Sequence, residues 1–255
     1  MAAEEGGGFR DHFSGAASQY AAFRPLYPPA LFETLAGNVA LRRKAWDCAT
    51  GNGQAALGLA RHFDHVIATD ASSEQLAMAP AHAGVTYARA RAEEPPLRSR
   101  SLDLITVAQA LHWFDRPAFF AEARRVLVPG GLLAVWSYGL AEIDPRVDRI
   151  VRAFYQDVVG RYWPTERWMV ENGYRTITFP FVEVPLTSPP MEALWSLEDL
   201  MGYLGTWSAT LRYRAALGRD PIPELLAGLA PAWGREDERR PVRWPLSIRA
   251  GRTTG

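Results

Sequence analysis

Five short apolar runs, separated by helical stretches between residues 45 and 138, constrain the fold of this chain more than any other feature. They read AWDCAT, HVIATD, VTYARA, LDLITVAQA and LLAVWSY. Strands alternating with helices at this spacing imply an α/β architecture, a doubly wound and mostly parallel sheet with helices on both faces. LDLITVAQA is almost continuously apolar, as expected for a strand covered on both faces. The first run passes through Gly51-Asn52-Gly53 into QAALGLARHF, a strand–turn–helix. Ser72 or Ser73 can cap SSEQLAMAPA, Pro29 opens a helix over 29–40, and AFFAEARRVL (118–127) stops at Pro129-Gly130-Gly131.

After Tyr138 the rhythm changes. Residues 139–220 are rich in Trp, Tyr, Pro and Arg, with helices expected over 145–159, 191–196 and 197–216. They read as a helical, aromatic-rich cap over the carboxyl edge of the sheet. Residues 241–250 alternate and read as a late strand, antiparallel to its neighbour. The expected division is an N-terminal segment and helix (1–40, with a weak helix over 13–23), a core (41–138), a cap (139–220) and a C-terminal helix and strand (221–255).

Composition narrows the chemistry. The 28 Lys+Arg and 28 Asp+Glu among 255 residues cancel, which argues against tracking long nucleic acid. Lys44 is the single lysine, so Schiff-base chemistry is nearly removed. Cys48 is the single cysteine, excluding an internal disulfide or a multi-cysteine zinc site. His12, His62, His65 and His82 show no metal-ligand spacing and read as solvated, so no metal is expected. No apolar stretch reaches the roughly 18 residues of a membrane helix. The first residues lack a basic and apolar leader, so a cytoplasmic location is expected.

The glycine loop admits two readings. Glycines there let a ligand approach the backbone, at the carboxyl edge where open α/β sheets bind ligands. Gly51-x-Gly53-x-x-Ala56, with Asp70 at the end of the second strand, fits a dinucleotide fingerprint and hence an NAD(P)-dependent oxidoreductase. Against it, Asp47 would repel a pyrophosphate and attract an ammonium, and the loop carries no lysine or arginine.

Asp47-Cys48-Ala49-Thr50-Gly51-Asn52-Gly53 resembles the cofactor loop of class I S-adenosylmethionine-dependent methyltransferases (methyltransferase type 11-like), with Ala49 in place of a first glycine. The resemblance extends to Asp70, to Ala92-Glu93 (preceded by Arg91 where many members carry aspartate), to Leu102-Asp103-Leu104-Ile105 and to Arg125–Gly131. Gln109-Ala110-Leu111-His112-Trp113-Phe114-Asp115, Tyr20-x-x-x-Arg24-Pro25-x-Tyr27-Pro28 and Thr206-Trp207-Ser208-Ala209 are similar to a trans-aconitate methyltransferase-like subgroup. The resemblance implies S-adenosylmethionine as cofactor, S-adenosylhomocysteine as product and a small-molecule acceptor, methylated on a carboxylate or hydroxyl oxygen. It implies cofactor contacts from Tyr20, Arg24, Asp47, Ala49, Gly51, Gly53, Gln54, Asp70, Ala71, Gln75, Ala92, Glu93, Gln109, His112 and Trp113, and substrate contacts from Tyr27, Trp163 and Trp207. A non-catalytic cofactor-binding module remains a third reading.

Each of these residues also has a plainer role. Asp47 can touch the cofactor, directly or through water, or only order its turn. Asp70 can bind a ribose diol or cap a helix. His112 can be a general base or merely line the pocket. Tyr155, Tyr162, Trp163, Trp168, Tyr174, Trp195 and Trp207 can line a substrate pocket or fill the core of the cap. Arg161, Arg167, Arg175 and Arg212 read as solvated, with one able to pair with a substrate carboxylate.

Overall fold

A computed structural model of the chain describes residues 23–235 and 237–253. Tyr20 and the weak helix over 13–23 fall outside them, save for Phe23. The central sheet has seven strands in the order β3-β2-β1-β4-β5-β9-β6. The strands are β1 (Lys44–Cys48), β2 (His65–Asp70), β3 (Val85–Arg89), β4 (Leu102–Ala108), β5 (Leu127–Tyr138), β6 (Val182–Val184) and β9 (Leu246–Arg252). β1 pairs in parallel with β2 and β4, β2 with β3, and β4 with β5. β9 runs antiparallel between β5 and β6, the direction expected for a late strand added to such a sheet.

Alternation along the buried strands builds two cores. On β5, Leu133 and Val135 face one layer with Trp46, Ile105 and Phe119, while Leu132, Ala134 and Trp136 face the other with Leu31, Leu35 and Leu59. A period of two sends successive side chains to opposite faces. The residues after Tyr138 have a third core of their own, including Val147, Leu200, Trp207, Trp233 and Trp244. Among the described residues no helix is long and apolar enough to cross a membrane.

Four expectations are corrected. Residues 191–196 are not helical: Glu192–Trp195 form β7, paired antiparallel with β8 (Arg240–Arg243). Ser196 caps the next helix through a reciprocal box with Asp199, so the chain must be extended just before it. Residues 197–216 form two helices, Leu197–Gly205 and Ser208–Leu217, because Trp207 takes an extended backbone as it packs into the cap core. The helix expected over 118–127 gives way to β5 already at Leu127. Leu127 pairs with Leu102 and Leu132 with Leu104, so Val128–Gly131 bulge from the ladder. Residues 241–250 divide between β8 and β9 around Trp244-Pro245, proline being unable to donate to a ladder.

Candidate active site

The turn from β1 into helix Gln54–Leu59 is made by a run of left-handed residues. Ala49, Gly51 and Gly53 have φ of 56°, 57° and 84°. Gly53 also lies close against Tyr87, whose hydroxyl is 2.5 Å from where a β-carbon would stand. Ala49 carries the strain that a glycine avoids, about 1–2 kcal/mol for an L-residue in this region. Ala49→Gly is therefore expected to leave stability unchanged or raise it by up to about 1 kcal/mol. Ala→Gly in ordinary backbone costs roughly that much. Urea unfolding reads the sign, and a clear loss of stability would contradict the strain.

Asp47 lies beneath this loop, fully buried. The Thr50 hydroxyl donates to it at 2.5 Å and the Thr106 hydroxyl at 2.8 Å. Loss of hydration pushes its carboxyl up to about 6, although both hydroxyls pull it down. Asp47 lines neither cavity described below, and its observed contacts are those that order the turn. Cys48 is buried beside it, and desolvation pushes the thiol up, away from nucleophilic chemistry.

Asp70 ties the loop to the end of β2. Its two carboxylate oxygens accept from the backbone N–H of Gly51 and of Ser72, each at 2.8 Å. Gln75 is buried nearby, its Oε1 3.7 Å from the position a Gly51 β-carbon would take. The Ala71 carbonyl accepts from Arg89. Ala92 is buried, and Glu93 accepts from the Asp115 N–H at 3.0 Å while pairing with Arg91 at 3.3 Å. These residues stand at the carboxyl ends of β2 and β3, beside the loop and outside the cavity linings.

Two clefts open at this edge. The first lies over the glycine loop, lined by Ala49, Thr50, Gly51, Asn52 and Gln54 with Tyr27 and Ala108. The second lies among His112, Trp113, Trp163, Arg167, Tyr203 and Trp207. They share Arg24, Gln109 and Tyr138. Arg24 donates to the Tyr138 hydroxyl and to the Thr206 carbonyl, both at 3.2 Å, joining the N-terminal segment to the cap. Gln54 holds the same segment from below: its amide donates to the Pro25 carbonyl and accepts from the Tyr27 N–H, both at 3.2 Å. Tyr27, given a substrate contact in the sequence along with Trp163 and Trp207, lines the cleft over the glycine loop, while Trp163 and Trp207 line the other.

Gln109 directly follows β4 with φ of 57°, and its buried amide nitrogen has no hydrogen-bond partner among the described residues. Such a donor calls for an acceptor. His112 follows on the same connection. Burial pushes its imidazole down to about 3, with the charges of Arg167 and Arg116 adding. The ring is neutral near pH 7, and Nδ1 shares a hydrogen bond of 3.0 Å with the Tyr174 hydroxyl. Tyr174 is fully buried with φ of 60°, an uncommon conformation for a bulky residue.

Of the other cap aromatics, Trp168 is half exposed and Trp195 packs on Trp244 at 4.5 Å. Tyr155 supports Trp163 at 4.8 Å. Tyr138 and Thr106 were not singled out in the sequence, and Tyr174 figured there only among the cap aromatics. Tyr138 did have a signal, its position at the carboxyl end of a parallel strand. Among the described residues no group of histidines, cysteines and acids is placed to hold a metal.

The donor set suits S-adenosylmethionine. The buried amide of Gln109 has no partner among the described residues and lines the cleft over the loop, where a ligand carboxylate would accept from it.

A seven-stranded sheet with an antiparallel strand β9 inserted beside β5, a glycine loop after β1 and an acid at the end of β2 is the architecture of the class I S-adenosylmethionine-dependent methyltransferases. The family described as "methyltransferase domain" matches residues 46–135. A candidate methyltransferase of Dictyostelium discoideum is 34% identical over 233 residues, 90% of this chain and 89% of the relative. A solved candidate type II methyltransferase from Anaeromyxobacter dehalogenans is 46% identical with a TM-score of 0.83, covering 90% of this chain and 98% of that one. A candidate methyltransferase from Bacillus halodurans shares the fold at 22% identity and a TM-score of 0.50, over 89% of this chain and 100% of that one. The chain belongs to the S-adenosylmethionine-dependent methyltransferases. The nicotinamide reading is not favoured.

Proposed function

We propose that the chain transfers a methyl group to an oxygen of a small molecule, a carboxylate or a hydroxyl, in the manner of the trans-aconitate methyltransferase-like subgroup. The supporting observation is the pair of clefts that meet at Arg24, Gln109 and Tyr138. In-line displacement needs donor and acceptor on either side of one shared gap. When bound, S-adenosylmethionine supplies the electrophilic methyl on its sulfonium.

In this reading the core (41–138) and the N-terminal segment (1–40) hold the cofactor. Gln109 and Arg24 take the amino-acid end above Ala49–Gly53, and Asp70 takes the ribose hydroxyls. The cap (139–220) selects the acceptor, and residues 221–255 complete the sheet. His112, held neutral by burial, orients by hydrogen bonding and does not store a proton. A carboxylate acceptor needs no base, and the aromatic cleft excludes water. The assembly works in the cytoplasm.

Calorimetry with S-adenosylhomocysteine tests this. Micromolar to submillimolar binding is expected, weakened roughly tenfold to a hundredfold by Asp70→Ala, since hydrogen bonds to a charged group are worth about 1.5–3 kcal/mol. No heat at millimolar ligand, equal affinity in the variant, or stabilisation by NAD instead would each overturn it.

A further inference from the structure

The acceptor cleft has a charge that the whole chain does not. Cations and anions balance at 28 each, yet among the described residues the cleft is lined by Arg24 and Arg167 and by no aspartate or glutamate. Burial keeps its histidine neutral. Glu171, 3.9 Å from Arg167 Nε, stands outside this lining, and two cations on the cleft wall leave a local field that favours an anion.

The two arginines differ in what they have left to offer. Arg24 is engaged by Tyr138 and Thr206. Arg167 is held along one edge only. Its Nε donates to the Tyr155 hydroxyl at 2.9 Å, and that hydroxyl in turn donates to Glu171. Glu171 itself lies 3.9 Å from the same Nε. The guanidinium lies over the Trp163 ring, 4.5 Å from its centroid. Among the described residues nothing accepts from Nη1 or Nη2 of Arg167. A flat guanidinium fixed by its Nε edge and supported on an indole presents an unused two-pronged donor. That is the shape that grips a carboxylate with two parallel hydrogen bonds.

We propose that the methyl acceptor carries a carboxylate that docks on the Nη1/Nη2 edge of Arg167, with its apolar body against Trp163, Trp207 and Trp113. This rests on the methyltransferase reading above and deepens it: Arg167 sets the substrate class, while the loop residues hold the cofactor. A lysine in its place would supply the charge without the fork.

The test is calorimetry at saturating S-adenosylhomocysteine with three matched probe pairs: benzoate and benzamide, phenylacetate and phenylacetamide, cinnamate and cinnamamide. In the unaltered protein at least one carboxylate is expected to bind tenfold or more tightly than its amide. Arg167→Gln is expected to erase that preference, and Arg167→Lys to leave an intermediate one. Glu171→Gln is expected to keep it, because the fork remains and a nearby negative charge is gone. S-adenosylhomocysteine affinity is expected to be the same in all variants, since Arg167 does not line the loop cleft. The proposal is overturned if no pair binds, if amides match carboxylates, or if the preference survives Arg167→Gln. It is also overturned if Arg167→Gln weakens acid and amide equally, the mark of a merely structural arginine. Failure of the unaltered protein to bind S-adenosylhomocysteine would instead count against the methyltransferase reading itself.

Discussion

Gly53→Ala is expected to destabilise the fold by about 2–5 kcal/mol and to abolish measurable S-adenosylhomocysteine binding. Two costs act together. The residue sits at φ of 84°, where an L side chain is strained by about 1–2 kcal/mol. The new β-carbon would also stand 2.5 Å from the Tyr87 hydroxyl and 3.0 Å from its ring carbon Cε1. Overpacking of that kind costs roughly 1–3 kcal/mol. The two costs separate in a double variant. Tyr87→Phe removes the closest atom and is expected to recover part of the loss, whereas the backbone strain stays. Urea unfolding of the single and double variants gives the stabilities, and calorimetry gives the binding. Recovery to the full stability of the parent would show that φ at this position carries no strain; no loss in the single variant would show that the loop is not built as described.

The second large effect appears in the pH dependence of stability. Asp47 has its folded pKa raised from 3.8 to about 6 by burial. A raised acid contributes most below its unfolded value, and that contribution is lost as pH rises through the folded value. Ionising Asp47 thus costs up to about 3 kcal/mol by pH 7. His112 acts in the opposite sense. Its folded pKa is pushed from 6.5 down to about 3, so stability falls as pH drops below 6.5, where the unfolded chain takes up the proton first. Between about pH 4 and 6 the two slopes oppose each other and largely cancel. Asp47→Asn removes one of them. Its stability relative to the parent is expected to improve steadily as pH rises from 4 to 7, by up to about 3 kcal/mol. Any constant offset from altered hydrogen bonds to Thr50 and Thr106 does not change that slope. Parallel stability curves for variant and parent would exclude Asp47 as the group responsible.

The nucleotide-binding half of the molecule was legible because its signals are local. A glycine run after an apolar strand, and Asp70 at the end of the next, follow from strand period and turn chemistry. Gly51 and Gly53 were legible as a close-approach turn; that both are left-handed, and that Ala49 shares this backbone at φ of 56°, came from the structure. The late strand β9 was visible in its alternation. The cap was legible only as composition. Its aromatic density gave no period, so a strand at Glu192–Trp195 was read as helix, and the break at Trp207 was missed.

By itself the sequence determined the parallel sheet, the glycine turn and the acid beside it, because hydrophobic period and turn residues act over a few positions along the chain. Only the tertiary structure decided which charges stand alone. Asp47 is sealed beneath the loop by Thr50 and Thr106, fifty-nine residues apart from the latter. Tyr27 belongs to the loop cleft through Gln54, and His112 is neutral through its burial beside Tyr174. Arg167, one of four arginines read from the sequence as solvated with one able to pair with a substrate carboxylate, lies on Trp163 and lines the acceptor cleft. The reason is physical. The strength of a charge or a hydrogen bond depends on the water removed around it, and that removal is done by residues distant in sequence.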